Sequence, residues 1–193
     1  ALYLASILVY LRYEDRNKRL WYAVAFMTAL AAILAKSSAV MLPIALLLCA
    51  WWRRDTITKK DLLRTIPFFA ISLTLGLVEM SFVHRQTLYD ELGRPEGIAS
   101  RIAASGWVIG FYLYKLIAPV NLTVHYPRWD VDGGRIVSYV PLALLLSFFA
   151  ILWTYRHQWS RAPLAAMIYF VVTLLPVAGL LNMQFNRYSL VAD

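Results

Sequence analysis

Long apolar runs separated by short charged segments form the pattern of the chain. The runs lie near 1–11, 20–52, 66–83, 137–155 and 163–181, and the segments between them are rich in Arg and Lys. Helices satisfy their backbone hydrogen bonds internally, which is what lipid requires, whereas the alternating pattern of a membrane barrel is not seen. The pattern therefore predicts an all-α integral membrane protein built as a multispanning helical bundle.

The run at 20–52 is too long for a single span. As one helix its 33 residues would measure about 50 Å, against a hydrocarbon core of about 30 Å. Lys36 is its one charged residue, two serines follow it, and both flanks of the run, "RNKR" and "WWRR", are basic. Basic flanks favour the cytoplasmic side. We therefore predict two short spans, 20–35 and 39–52, with Lys36 at the apex of a hairpin on the opposite membrane face.

The segment near 102–120 is ambiguous, since it has the length of a span but contains Lys115, two glycines and a proline. If it does not cross, the inner loops hold eleven Lys and Arg against four acids, and the outer loops hold six of each. If it crosses, the two arginines of "RHQWSRA" move outside and the bias weakens. We therefore predict one interfacial or re-entrant helix near 102–120, within an outer-face region at 84–136.

Composition agrees with this reading. The chain is 61% hydrophobic and 16% charged, with a mean hydropathy of +0.59, which excludes an ordinary soluble domain. Its net charge of +8 follows from the topology, so we expect no nucleic-acid partner. Cys49 is the only cysteine, and no spacing typical of a nucleotide or metal site occurs. Because the sequence begins without Met inside an apolar run, we expect 1–193 to be a partial transmembrane domain of a longer protein.

Ionisable and aromatic residues of separate segments converge on the outer face of this topology. Lys36 lies at the hairpin apex, and Glu79 lies near the outer end of the span at 66–83. An ionisable residue inside a membrane is costly and indicates function. The alternatives are that Lys36 snorkels to the interface, and that Glu79 is an interfacial residue or a structural partner of Lys36. The other candidates lie in "NLTVHYPRWDVDGG" and "NMQFNRYSLVAD": His125, Tyr126, Arg128, Trp129, Arg187 and Tyr188.

Three stretches in this order resemble a known group of membrane enzymes: "RLWYAVAFMTALAAILAKSSAVMLPIALLL", "FYLYKLIAPVNLTVHYPRW" and "LLPVAGLLNMQFNRYSLVAD". They are similar to the membrane part of the GT-C superfamily of lipid-linked sugar transferases. Within it the chain most resembles the transmembrane-and-tetratricopeptide-repeat O-mannosyltransferases and their bacterial relatives. The resemblance implies a GT-C-like bundle, with the helical-repeat domain outside this sequence.

The resemblance also implies an activity. In such enzymes a polyprenyl-phosphate sugar enters from the lipid, and an acceptor approaches from the extracytoplasmic face. We therefore expect transfer of mannose or a related hexose from a dolichyl- or undecaprenyl-type donor to a protein or glycan acceptor, with a protein favoured. We expect no tightly bound cofactor, and favour the bacterial inner membrane over the endoplasmic reticulum. The acidic residue that serves this family as base or metal partner belongs to an early outer loop with no counterpart here, so the catalytic residue and any divalent metal stay open.

The candidate residues suit such a donor. Fixed cations in a low-dielectric site stabilise a departing phosphate, which assigns Lys36, Arg128 and Arg187 to the donor phosphate. Hydrogen bonds to phosphate or sugar hydroxyls, and stacking on a sugar face, are assigned to Tyr126, Tyr188 and Trp129.

Two other classes of function remain open. A polysaccharide polymerase or ligase that acts at the outer membrane face on lipid-pyrophosphate glycans would bind the pyrophosphate with residues such as His125 and Arg128. A transporter would line its pathway with Lys36 and Glu79, but it should show internal repeats with broken helices in corresponding positions, and the chain has only one broken run.

The charge bias predicts which loops face the cytoplasm. In a Cys49→Ser background, we expect cysteines placed at Ser100 or Asp132 to react with a membrane-impermeant thiol reagent in intact cells. A cysteine at Ser160 should react only after the membrane is permeabilised. Labelling at position 160 but not at position 132 would reverse the predicted topology.

Overall fold

The structure is a computed structural model in which the described residues form helices and no strand. The described residues are 1–89, 97–120, 123, 126, 129, 131–158 and 160–178, with Ser37 and residues 83–89 described by their backbone alone. The prediction of an all-α chain is confirmed for these residues. The chain divides into two compact units, Ala1–Phe82 and Val83–Asp193, which we describe separately as the first and the second unit.

The described residues contain seven α-helices and three short 3₁₀ segments. The helices are α1 (Leu2–Arg16), α2 (Arg19–Ala35), α3 (Leu42–Arg54), α4 (Lys59–Tyr89), α5 (Ile98–Ile117), α6 (Val140–Tyr155) and α7 (Ala162–Leu174). The 3₁₀ segments are Ser37–Met41, Ile136–Tyr139 and Leu175–Val177.

The break predicted at Lys36 is confirmed. Helix α2 ends at Ala35, and Lys36 has an extended backbone with φ −156° and ψ 121°. Its N–H still donates to the carbonyl of Ala32 at 3.0 Å, and its own carbonyl accepts from the N–H of Ala39 at 2.9 Å. The 3₁₀ turn then leads into α3, whose first turn carries Pro43 and so cannot continue the hydrogen-bond ladder of α2.

Helices α1 and α2 pack against each other through small residues. Asn17 adopts a left-handed conformation, φ 50°, which closes α1 and lets the chain turn back into α2. Ser6 Oγ donates to the carbonyl of Ala25 at 2.8 Å, and Ala25 and Ala29 are completely buried. Small side chains allow two helix backbones to approach closely. Phe68 of α4, also completely buried, completes this core.

An ionic cluster joins three helices at one end of the first unit. Arg54 at the end of α3 contacts Glu14 of α1 at 3.3 Å and Asp61 of α4 at 2.7 Å. Arg53 contacts Asp15 at 2.7 Å. At the other end of α1, Tyr3 packs against the apolar cluster of Ala32, Ile33 and Ala39 that flanks Lys36. The basic segments and the Lys36 break therefore lie at opposite ends of the first unit, as the predicted hairpin requires.

Among the described residues, two helical segments are long and apolar enough to cross a membrane. They are Lys59–Phe82 and Ile136–Tyr155, with mean hydropathies of 1.6 and 2.2. Only 17% and 6% of their residues are buried, whereas the core helix of a soluble protein is mostly buried. The finding supports membrane association. The multispanning bundle, with spans near 1–11, 20–35, 39–52, 66–83, 137–155 and 163–181, stays a prediction.

In the second unit, α5 packs on the segment that leads into α6. The indole Nε1 of Trp107 donates to the carbonyl of Ser138 at 3.1 Å, and the N–H of Gly133 donates to Ser100 Oγ at 3.0 Å. Helix α5 covers most of the predicted interfacial helix near 102–120. Its interfacial or re-entrant placement stays a prediction.

Two glycines of α5 give a matched test of this packing. A Cβ on Gly106 would lie 2.8 Å from both the backbone nitrogen and the Cβ of Leu142, so Gly106→Ala must push α6 away from α5. Overpacking of this kind costs about 1–3 kcal/mol. A Cβ on Gly110 meets nothing within 4 Å, and alanine is the better helix former by about 1 kcal/mol.

We therefore expect Gly106→Ala to lower the melting temperature of the protein in detergent, and Gly110→Ala to leave it unchanged or raise it. Equal melting temperatures for the two variants would contradict the contact between α5 and α6.

Candidate functional site

An aromatic cluster around Phe111 of α5 is the structural centre of the candidate site. The ring centroids of Tyr126 and Trp129 lie 4.8 and 5.1 Å from that of Phe111, both in edge-on contact. Such pairs contribute about 0.5–1.5 kcal/mol each beyond the area that they bury. The three rings pack against Ala104 and Val108 of α5, which are buried. Two of the predicted residues, Tyr126 and Trp129, therefore pack against the same ring of α5.

The sequence of α5 explains why its aromatic side chains share one face. Trp107, Phe111 and Tyr114 follow one another at spacings of four and three residues, and residues so spaced are neighbours on a helix surface. Gly110 sits among them without a side chain. The result is a helix face with large rings and a gap between them.

A pocket of about 730 Å³ opens on this face. Its size is within the range of about 300–1,000 Å³ typical of small-molecule sites. The residues that line it are Trp107, Gly110, Phe111, Tyr114, Trp129, Val131, Arg135, Val137, Ser138 and Pro141. Arg135 is the single charged side chain among them, so the pocket combines apolar and aromatic walls with one cation.

Arg135 is held only weakly by its acidic partner. Its Nε lies 3.3 Å from a carboxylate oxygen of Asp132, and the two side chains are 79% and 60% exposed. Ion pairs between such exposed groups contribute about 0–1 kcal/mol. The guanidinium can therefore exchange this partner for an anionic ligand at little cost.

A second cation, Lys115, lies beside the aromatic cluster. Its Nζ is 5.5 Å from the ring centroids of both Phe111 and Tyr126, and it donates to the carbonyl of Val120. An ammonium at this distance is attracted to the negative face of a ring. The contact ties the loop after α5 to the helix and places a positive charge beside Tyr126.

Of the eight predicted site residues, the structure describes four. Tyr126 and Trp129 are half-buried around Phe111, and the hydroxyl of Tyr126 accepts from the N–H of Thr123 at 3.2 Å. Trp129 lines the pocket, whereas Tyr126 packs beside it. The predictions for four further residues lie outside the described residues: His125, Arg128, Arg187 and Tyr188.

Lys36 and Glu79 belong to the first unit, and both are exposed. Glu79 lies one turn beyond Leu75, on the face of α4 that contacts the apolar cluster flanking Lys36. The ion pairs found in the described part of the chain do not include one between these two residues. An ion pair, which is one form that a structural partnership of Glu79 with Lys36 could take, is therefore not seen, and the site assignments of Lys36 and Glu79 stay predictions.

Sequence reasoning missed most of the pocket wall. It treated Lys115 only as a reason against a membrane span, and it assigned no role to three other residues of the site, Trp107, Phe111 and Arg135. The spacing of the rings along α5 was a usable signal. The position of Arg135 was not, because it depends on how the turn at Gly133 and Gly134 packs on the start of α5.

Within the described ranges, no group of three or more His, Cys, Asp or Glu side chains could hold a metal ion.

Comparisons with protein-family models, with curated protein sequences and with solved structures give no match. The likeness to the GT-C superfamily is therefore carried by the quoted sequence motifs alone.

Proposed function

We propose that this chain is part of a membrane glycosyltransferase that takes a sugar from a polyprenyl-phosphate donor. The sugar, mannose or a related hexose, passes to a protein acceptor at the extracytoplasmic face. The pocket on α5 is the donor site. The observation that carries this proposal is the combination in one pocket of aromatic walls, a weakly paired arginine and a border formed by an apolar helix.

The walls suit both ends of an amphiphilic donor. Indole and phenyl rings pack against isoprenyl groups and against the apolar faces of sugar rings, and Trp129 and Trp107 offer two such surfaces. Arg135 offers a guanidinium whose planar fork matches phosphate oxygens. A purely apolar ligand would leave that guanidinium unused, and a free sugar would leave most of the aromatic surface unused.

The pocket also borders a surface that lipid can reach. Val137 and Pro141 form part of its wall and belong to the segment Ile136–Tyr155, which is apolar enough to cross a membrane. Ile136, Val137 and Leu144 of this segment are 88%, 71% and 66% exposed. A donor that is anchored in the bilayer by its prenyl chain would enter the pocket along this side.

The reaction needs few groups from the pocket. A hydroxyl of the acceptor attacks the anomeric carbon, the bond from that carbon to the phosphate oxygen breaks, and polyprenyl phosphate leaves. Fixed cations stabilise the negative charge that develops on the phosphate. Arg135 fits this role by position, and Arg128 and Arg187 are predicted to share it. The base that accepts the hydroxyl proton has no assigned residue in this chain.

Trp129 gives the sharpest test of the pocket. We expect Trp129→Ala to weaken binding of a short-chain polyprenyl-phosphate mannose about tenfold, or about 1.4 kcal/mol, because the pocket loses an aromatic wall. Trp129→Phe should recover part of the loss. Trp153→Ala is the control, since Trp153 is exposed on α6 and does not line the pocket.

The measurement is equilibrium binding to the full-length protein in nanodiscs. Equal loss of affinity in the two alanine variants would contradict the assignment of the pocket as donor site.

The phosphate contacts form a separate prediction. A hydrogen bond to a charged group contributes about 1.5–3 kcal/mol, so Arg128→Ala or Arg187→Ala should weaken donor affinity roughly 10- to 100-fold. Arg→Lys should restore it only in part, because the bidentate fork is lost. Unchanged affinity in both alanine variants would refute the phosphate assignment. Direct use of a sugar nucleotide by the full-length protein would refute the proposed function itself.

A further inference from the structure

Two arginines of the first unit share one tryptophan. The guanidinium carbons of Arg12 and Arg16 lie 5.6 and 5.8 Å from the ring centroid of Trp21. Both arginines lie on α1 at a spacing of four residues, so they point from the same face of the helix. Cation–π contact with the indole restrains both guanidinium groups without neutralising them.

The acidic side chains nearest in sequence are already engaged elsewhere. Glu14 contacts Arg53 and Arg54, and Asp15 contacts Arg53 at 2.7 Å. In the described part of the chain, neither Arg12 nor Arg16 forms an ion pair. Two adjacent positive charges, both exposed to the surroundings, are therefore held in place without an anion.

Exposed apolar side chains continue the same face of α1. Leu8 and Leu4 precede Arg12 by four and eight residues and are 61% and 57% exposed. Leu20, next to Trp21, is 71% exposed. An apolar stripe that ends in two arginines and a tryptophan is the arrangement expected where a helix leaves the hydrocarbon core, because indole and guanidinium groups favour the membrane interface.

We propose that Arg12, Arg16 and Trp21 bind the headgroup phosphate of an anionic phospholipid. The acyl chains of this lipid lie along Leu8 and Leu4. An anionic lipid is favoured over a zwitterionic one because two unneutralised guanidinium groups match a net negative charge, whereas an ammonium in the headgroup would be repelled. A lipid is favoured over free phosphate because the leucine stripe offers a surface that only acyl chains can use. The proposal rests on the membrane prediction for α1 and uses no residue of the donor pocket.

The test measures lipid retention by the full-length protein. The protein is placed in nanodiscs with equal amounts of phosphatidylglycerol and phosphatidylcholine, then extracted in mild detergent, and bound lipid is quantified by mass spectrometry. Wild type should retain phosphatidylglycerol selectively, and the double variant Arg12→Gln, Arg16→Gln should lose this selectivity about tenfold. Arg156→Gln is the matched control, since Arg156 lies alone over Trp153 at 4.3 Å.

Further arms separate the alternatives. The double variant Arg12→Lys, Arg16→Lys keeps both charges but loses the planar guanidinium groups, so it should retain an intermediate amount of phosphatidylglycerol. Full retention by this variant would indicate non-specific electrostatic attraction and would contradict a defined binding site. Trp21→Leu should also reduce retention of phosphatidylglycerol, which gives a second measure should the double glutamine variant fail to fold.

Glycerol phosphate in solution should not displace the lipid. Full displacement would show that the site binds phosphate alone and makes no use of the acyl chains, which would contradict the proposal. Equal retention by wild type and the folded double glutamine variant would overturn the proposal.

Discussion

The contact of Arg54 with Glu14 and Asp61 is the interaction on which the first unit depends. The two carboxylates are only 4% and 3% exposed, and buried charges of this kind are strongly destabilising once a partner is removed. One guanidinium therefore joins the end of α1, the end of α3 and the start of α4. The break at Lys36 lies at the other end of the unit, where Tyr3 packs against Ala32, Ile33 and Ala39.

This arrangement separates charge from apolar surface along the helices. The basic segments gather at the tied end, while exposed leucines such as Leu4, Leu8 and Leu73 lie along helix faces that no described residue covers. In water such faces would favour aggregation, whereas in lipid they are the expected outer surface. The arginine pair over Trp21 lies where these two kinds of surface meet, which is why a lipid with a charged headgroup fits it. In the second unit, Gly110 and the aromatic rings of α5 line a pocket beside an apolar helix.

The sequence predicted the fold best where a charged residue interrupts an apolar run. A lysine followed by serines in an apolar run marked the break at Lys36, and the structure has the α-helix end at that point. The candidate site was harder to predict, because Trp129 and Arg135 follow α5 in the sequence and meet the pocket on its face only in the tertiary structure. No local pattern encodes the 5.1 Å contact of Trp129 with Phe111. The sequence likewise left open whether Lys36 and Glu79 pair, since a shared membrane face does not by itself place two side chains in contact.

The most direct measurement for this account is the side of the membrane on which the two ends of α2 lie. Lys18→Cys and Lys36→Cys, each in a Cys49→Ser background, would be exposed in intact cells to a membrane-impermeant thiol reagent. The account predicts that position 36 reacts at once and that position 18 reacts only after permeabilisation. The account places the ionic cluster on one side of the bilayer and the break at Lys36 on the other. Reaction of both positions from the same side would contradict it. Recovery of the protein outside the membrane fraction, with both positions equally reactive, would also contradict it.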